Sequence, residues 1–224
     1  GATRVVIDLP YGEGAKVESL HDAREMAEDF TRVGTNLGMS IECAITRGEQ
    51  PIGRGIGPVL EARDVLDVLE GTGPADLRSK SLRLAQILLD AAGVDETAAE
   101  LLETGAAESK FREIVGAQNG DPDVSRSDLA LGRYDATVYT DREGVVTHVD
   151  NKLVNELARR AGAPKDHGAG VYLHCRTGDE LIDGDPLLTL YAKKREKLEQ
   201  ARTFWTENSP VRVHESGTVL IEQW

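Results

Sequence analysis

Two short β-branched runs, separated by one capped amphipathic helix, constrain this chain more than any other feature. Val5-Val6-Ile7-Asp8-Leu9 is apolar except for Asp8 and ends at Pro10, with Gly12 and Gly14 close behind. Such a run suits a strand buried on both faces of a parallel sheet. Ser19, with Asp22 three residues on, reads as a helix N-cap of the capping-box type. Behind it Leu20, Ala23, Met26, Ala27, Phe30, Val33, Gly34 and Leu37 recur at helical spacing, and Gly38 is a favoured stop. Ile41 to Ile45 supplies the second strand. Strand, crossover helix and strand predict a right-handed βαβ unit. A parallel sheet of two strands cannot cover both faces of either. Further strands must come from the later half of the chain, or the chain is the C-terminal part of a larger sheet protein. Pattern alone leaves both open.

The glycine-rich loop Gln50-Pro-Ile-Gly-Arg-Gly-Ile-Gly-Pro58 follows. Pro58 sits where a helix favours its first residue, and the helical pattern runs through Val59, Leu60, Ala62, Val65, Leu66 and Leu69 to Gly71. A second helix ends at Gly93, and two shorter ones are broken at Gly105. Asn119-Gly-Asp-Pro-Asp123 is the clearest linker. Beyond it, residues 144–149, 170–175 and 186–191 read as strands, with helices over about 151–161 and 193–207. The expected fold is α/β over residues 1–122, followed by an α+β domain over 123–224.

Composition narrows the function classes. The 224 residues carry 26 Lys and Arg against 39 Asp and Glu, a net charge of −13. So acidic a surface repels a phosphate backbone, which disfavours nucleic-acid binding but leaves room for a small anion held locally. Hydrophobic residues at 40% can fill a core, and with only 4% aromatics that core must be aliphatic. No apolar run approaches a membrane span, and no signal-peptide pattern opens the chain. Cys43 and Cys175 stand far apart with no CxxC, so neither a disulfide framework nor a structural zinc site is supported. A soluble, cytoplasmic protein is expected. The 8 lysines against 18 arginines, with the acidic balance, hint at a salt-adapted source.

Three places could hold chemistry. The loop Pro10–Val17 leaves the carboxyl end of the first strand, where open α/β sheets bind ligands, and Lys16 there offers a point charge for a phosphate. An ordinary turn with a solvated lysine is the competing reading. In Gln50–Pro58, carbonyls with Glu61 or Asp64 could hold a monovalent cation, or amides could cradle phosphate. A tight packing turn with capping acids reads equally well. Gly178–Lys194 resembles half of a biotinyl or lipoyl carrier domain but lacks the Glu-Ala-Met-Lys hairpin that carries the cofactor. His21, His148, His167, His174 and His214 are dispersed, and no Ser-His-Asp order, Walker loop or HExxH appears.

Longer stretches carry a family resemblance. Val6–Val17, Glu42-Cys-Ala-Ile-Thr46, Gln50–Arg63 and Gln118–Asp123 resemble the C-terminal half of nucleoside phosphorylases of the thymidine/pyrimidine type. Ala161-Gly-Ala-Pro164 and Gly168–His174 narrow this to the archaeal AMP phosphorylase branch. The resemblance implies a pentosyltransferase that converts AMP and phosphate to adenine and ribose 1,5-bisphosphate, with CMP and UMP as further substrates. It implies that Lys16 is a nucleotide-binding position. It also implies a potassium ion at Ile52, Gly55 and Asp64, where Asp64 replaces a glutamate one methylene longer; no other cofactor is implied.

The family's helical region, phosphate loop, proton-donating acid and Ser-x-x-x-Lys segment are expected upstream of residue 1. No catalytic residue is therefore assigned here, and the chain alone is expected to be inactive. The small second domain is expected to be the C-terminal-like α+β domain, with a barrel-sandwich-like hairpin sheet, and the full-length protein a homo-oligomer. No membrane or nucleic-acid partner is expected. A thymidine- or pyrimidine-specific phosphorylase and a non-catalytic scaffold or carrier module are the alternatives.

Overall fold

A computed structural model describes residues 2–215. The chain divides into two compact units: one runs from the start to Gly53 and continues over Arg63–Asp128, the other joins Arg54–Ala62 to the chain from Leu129 onward.

In the first unit, strand β1 (Arg4–Tyr11) pairs in parallel with β2 (Ser40–Arg47), in register from Arg4 opposite Ser40 to Tyr11 opposite Arg47. Helix α1 (Leu20–Asn36) joins them, and the Ser19 side chain accepts a hydrogen bond from the Asp22 amide at 3.0 Å. Gly38, at φ +72°, turns the chain out of the helix as the sequence predicts. Further on, helix α2 (Pro58–Leu69) begins, as expected, at Pro58 in the second unit's stretch and ends in the first, and α3 (Ala75–Ala92), α4 (Ala98–Glu103) and α5 (Ala106–Ala117) follow. Glycine in the left-handed region closes α3 at Gly93, and Gly105, likewise left-handed, separates α4 from α5. A complete capping box forms at α4, where Thr97 and Glu100 exchange side-chain-to-backbone bonds.

Pleat alternation sends α1 and α3 to opposite faces of the sheet. Ile41 and Cys43 meet α1, through Gly34 and the Ala27 carbonyl, while Asp8 meets Lys80 of α3. Gly34 is required there, because a Cβ would lie 2.5 Å from Ile41 Cδ1. The strand is not buried on both faces as expected. Only Leu9 of β1 is buried, because the sheet has two strands among the described residues. The later half does not supply more, since its strands pair among themselves and with Gly55–Ile56.

The second unit holds two antiparallel sheets. One orders β3 (Gly55–Ile56), β6 (Gly170–Leu173), β8 (Pro186–Ala192) and β4 (Tyr134–Tyr139); the other orders β7 (Glu180–Leu181), β5 (Gly144–Val149) and β9 (Val211–His214). Helices α6 (Asn151–Ala161) and α7 (Arg195–Asn208) complete it. On α6 the buried residues are Val154, Leu157, Ala158 and Ala161, one helical stripe. They join Val146, Val149, Val171, Leu173, Leu188 and Leu190 in an aliphatic core, as the low aromatic content requires.

Leu188 is fully buried in that core. Replacing it with alanine should cost about 2–5 kcal/mol, the range for a buried leucine left as a cavity. Urea unfolding followed by tryptophan fluorescence reads this unit, since both tryptophans lie beyond residue 129. A loss below about 1 kcal/mol would contradict the packing described.

Candidate functional site

The carboxyl ends of β1 and β2 lead into two loops that close on each other. The Gly12 amide bonds the Val17 carbonyl at 3.0 Å, the Ala15 amide bonds the Gly12 carbonyl at 3.0 Å, and the Gly48 amide bonds the Tyr11 carbonyl at 2.8 Å. Gly12 has φ +133°, and a Cβ there would lie 2.5 Å from Glu49 Cγ. Only glycine lets the second loop sit so close. The tight turn buries Val17 and sends Lys16 to the surface. Lys16 enters no ion pair among the described residues. Its ammonium is free to meet an anion in a chain of strongly negative charge.

Beside these loops is a cleft of about 760 Å³, whose lining includes Tyr11, Thr46, Arg47, Asp76, Lys80 and Arg83. Lys80 pairs with Asp8, whose other carboxylate oxygen accepts from Thr46 Oγ1 at 2.7 Å. The pair is partly exposed, so it positions Lys80 more than it stabilises the fold. Arg47, Lys80 and Arg83 come from β2 and α3. None of the three was singled out from the sequence. Their one local signal was Lys80 and Arg83 at i, i+3 on a helix.

The glycine-rich loop is shared out. Ile52 is exposed and Asp64 buried, both in the first unit. A Cβ on Gly53, which has φ +75°, would lie 2.7 Å from Asp64 Oδ2, and the Gly53 amide donates to Asp76 Oδ2 at 3.3 Å. Gly55 belongs to the second unit, where it pairs with Tyr172 and where a Cβ would lie 2.5 Å from the Leu60 backbone. Gly57 approaches the Ala169 carbonyl just as closely. Gly55 and Gly57 thus serve close packing. Glu61 accepts from the Gly57 amide at 2.9 Å and caps the start of α2.

His174 and His148 each have a polar partner. His174 Nε2 lies 2.8 Å from Thr189 Oγ1, which lies 2.9 Å from Thr137 Oγ1. Burial, and then the Arg54 guanidinium, push its pKa below the ordinary 6.5. His148 lies 3.9 Å from Asp150 Oδ2. His21, Asp22 and Glu25 converge on the exposed first turn of α1. After β8, Lys193 is exposed and Lys194 sits at the N-cap of α7, the charged helical run expected there. No helix among the described residues is long and apolar enough to cross a membrane.

Residues 145–211 match the pyrimidine nucleoside phosphorylase C-terminal domain. The whole chain aligns at 56% identity with the AMP phosphorylase of Natronomonas pharaonis, covering 46% of that protein. Over 98% of its length it is 46% identical to AMP phosphorylase 1 of Archaeoglobus fulgidus and 42% identical to the AMP phosphorylase of Pyrococcus abyssi, covering 44% and 45% of them. The chain thus spans slightly under half the length of the curated relatives it matches.

Two titrations check these environments. Burial pushes the Cys175 thiol up to about 11 and raises Cys43 as well. Iodoacetamide at neutral pH should therefore label Cys175 at least about tenfold more slowly in the folded chain than in urea; equal rates would contradict its burial. As pH falls, the unfolded chain takes up the His174 proton first. Stability gained by holding His174 neutral is full above 6.5 and is lost from 6.5 down towards its lower folded value. Nuclear magnetic resonance should show His174 titrating below 6.5, and His174→Gln should flatten that part of the stability profile.

Proposed function

We propose, from the match of residues 145–211 to the pyrimidine nucleoside phosphorylase C-terminal domain and the similarity of the whole chain to AMP phosphorylases, that the chain serves nucleoside 5′-monophosphate phosphorolysis. The reaction is AMP and phosphate to adenine and ribose 1,5-bisphosphate, with CMP and UMP as further substrates. The observation that carries this reading is Lys16, exposed and without an ion-pair partner among the described residues, at the carboxyl end of a parallel strand pair.

Phosphate must attack C1′ as the bond to the base breaks and positive charge builds on the sugar. The enzyme therefore has to hold two anions together while the base leaves. Lys16 is suited to hold one anionic group of the nucleotide, and Arg47 and Arg83 of the adjoining cleft lower the cost of bringing in a second. The acid that protonates the leaving base is assigned to no residue of this chain. The chain by itself is accordingly read as inactive, its activity belonging to a protein of its relatives' length.

The same reading covers two finer points. Of the positions Ile52, Gly55 and Asp64 that the resemblance implies for a potassium ion, Ile52 and Asp64 share the first unit and would offer a carbonyl and a carboxylate. Asp64 fits by its burial and by the close approach of Gly53, and the ion would supply positive charge there. The second unit is read as the family's small α+β domain with a barrel-sandwich-like sheet, supported by the way the chain leaves one sheet at β7 and enters the other at β8.

Chromatography of base released in phosphate buffer tests the proposal. A protein of the relatives' full length carrying this chain should release adenine from AMP, while this chain alone should not. Thymine from thymidine instead would move the protein to the nucleoside-specific branch. Lys16→Ala should lower kcat/KM for AMP about 100-fold, the loss of one charge-assisted contact, and Lys16→Arg should restore part of it. An unchanged kcat/KM would remove Lys16 from the site.

A further inference from the structure

The second unit carries a cleft that the proposed chemistry does not use. Its volume is about 520 Å³, and its lining includes Tyr139, Arg142, Trp205, Ser209, Arg212 and His214. That is room for a mononucleotide-sized ligand. Aromatic residues make up only 4% of the chain, yet a tryptophan and a tyrosine face this one hollow. Trp205 is half-buried, packed against the core, and also lines the cleft. Tyr139 is 58% exposed on the opposite strand end.

Charge follows the same pattern. β9 alternates, with Val211 buried and Val213 half-buried while Arg212 and His214 stay exposed two residues apart. Arg142 is tied to Asp141 at 2.9 Å, whereas Arg212 enters no ion pair among the described residues. Its planar, always-charged fork is therefore available to meet an anion. The backbone at the mouth is also unusual. Ser209 has φ +44°, a left-handed conformation uncommon for a residue with a side chain, and it precedes buried Pro210. Its amide closes the last turn of α7 on the Trp205 carbonyl at 2.9 Å, so the chain reverses at once into β9. That reversal sets Trp205 and Arg212 on one hollow.

We propose that the cleft between the end of β4, the end of α7 and β9 is a second ligand site, taking a small aromatic anion whose ring stacks at Trp205 and Tyr139 and whose anionic group meets Arg212. The chemistry fits a nucleoside monophosphate bound as an effector and not as substrate. The class rests on the cleft; the choice of AMP as the probe rests on the proposed function.

The test uses the whole chain carrying Lys16→Ala, which weakens binding at the first unit's loop, so that the Trp205 resonance and the Arg212 variants report the second cleft. Isothermal titration with AMP should saturate, and the Trp205 indole N–H resonance should shift with the same curve. Adenosine and inorganic phosphate should each bind at least about tenfold more weakly, since each offers half of the recognition. Arg212→Glu and the milder Arg212→Gln should weaken AMP binding about tenfold or more. Arg159→Glu, an equal charge change on the exposed face of α6, should not. Absence of saturation by about 10 mM AMP would overturn the proposal. Equal binding by a folded Arg212→Gln variant, or phosphate binding as tightly as AMP, would do the same. Adenine release plays no part in this readout, so failure of the proposed reaction and failure of this site are distinguishable.

Discussion

Parallel pairing of Arg4–Tyr11 with Ser40–Arg47 decides where the first unit can do chemistry. Parallel strands end on the same side, so the loops after Tyr11 and Arg47 emerge together, and the Gly48 amide bonds back to the Tyr11 carbonyl. The same register puts Thr46 diagonally across from Asp8, so that one carboxylate receives both the threonine hydroxyl and Lys80. A one-residue slip of β1 would turn Asp8 towards α1, away from Thr46 and Lys80. Lys16 depends on this arrangement indirectly: its turn is held by Gly12, whose missing side chain leaves space for Glu49.

The second unit rests on a different principle, aliphatic packing between two antiparallel sheets and two helices. Its glycines are spent on close approach: Gly55 against Leu60, Gly57 against the Ala169 carbonyl, Gly170 against the Ile56 carbonyl. A loop dense in glycine on paper therefore contributes mainly to packing at Gly55 and Gly57.

Much of the fold was legible because its punctuation is local. Ser19 before Asp22, Gly38, Pro58, Gly93 and Gly105 each act within a few residues, and each bounds a helix close to where it was read. Strands β3 and β7 escaped notice because each is a residue pair, whose existence depends on a partner far along the chain. β4 was missed as well, its Tyr-Asp-Ala-Thr-Val-Tyr giving no continuous apolar run. The expectation that β1 is buried on both faces failed at Asp8, whose charge is met by Lys80, 72 positions away in the sequence. The cleft cations were invisible for the same reason. Arg47 and Arg83 come to line one cleft only once α3 packs on β1, and nothing local announces that. Lys16 could be singled out because strand, glycine turn and lysine are consecutive.

In the proposed reaction phosphate, and not water, takes the sugar from the base. Phosphorus resonance of AMP and inorganic phosphate, incubated with a protein of the relatives' full length carrying this chain, tests it most directly. The predicted result is a new phosphate ester coupled to the anomeric proton, growing as inorganic phosphate falls, with the 5′-phosphate ester retained. Ribose 5-phosphate formed while inorganic phosphate stays constant would be hydrolysis, and would contradict the account.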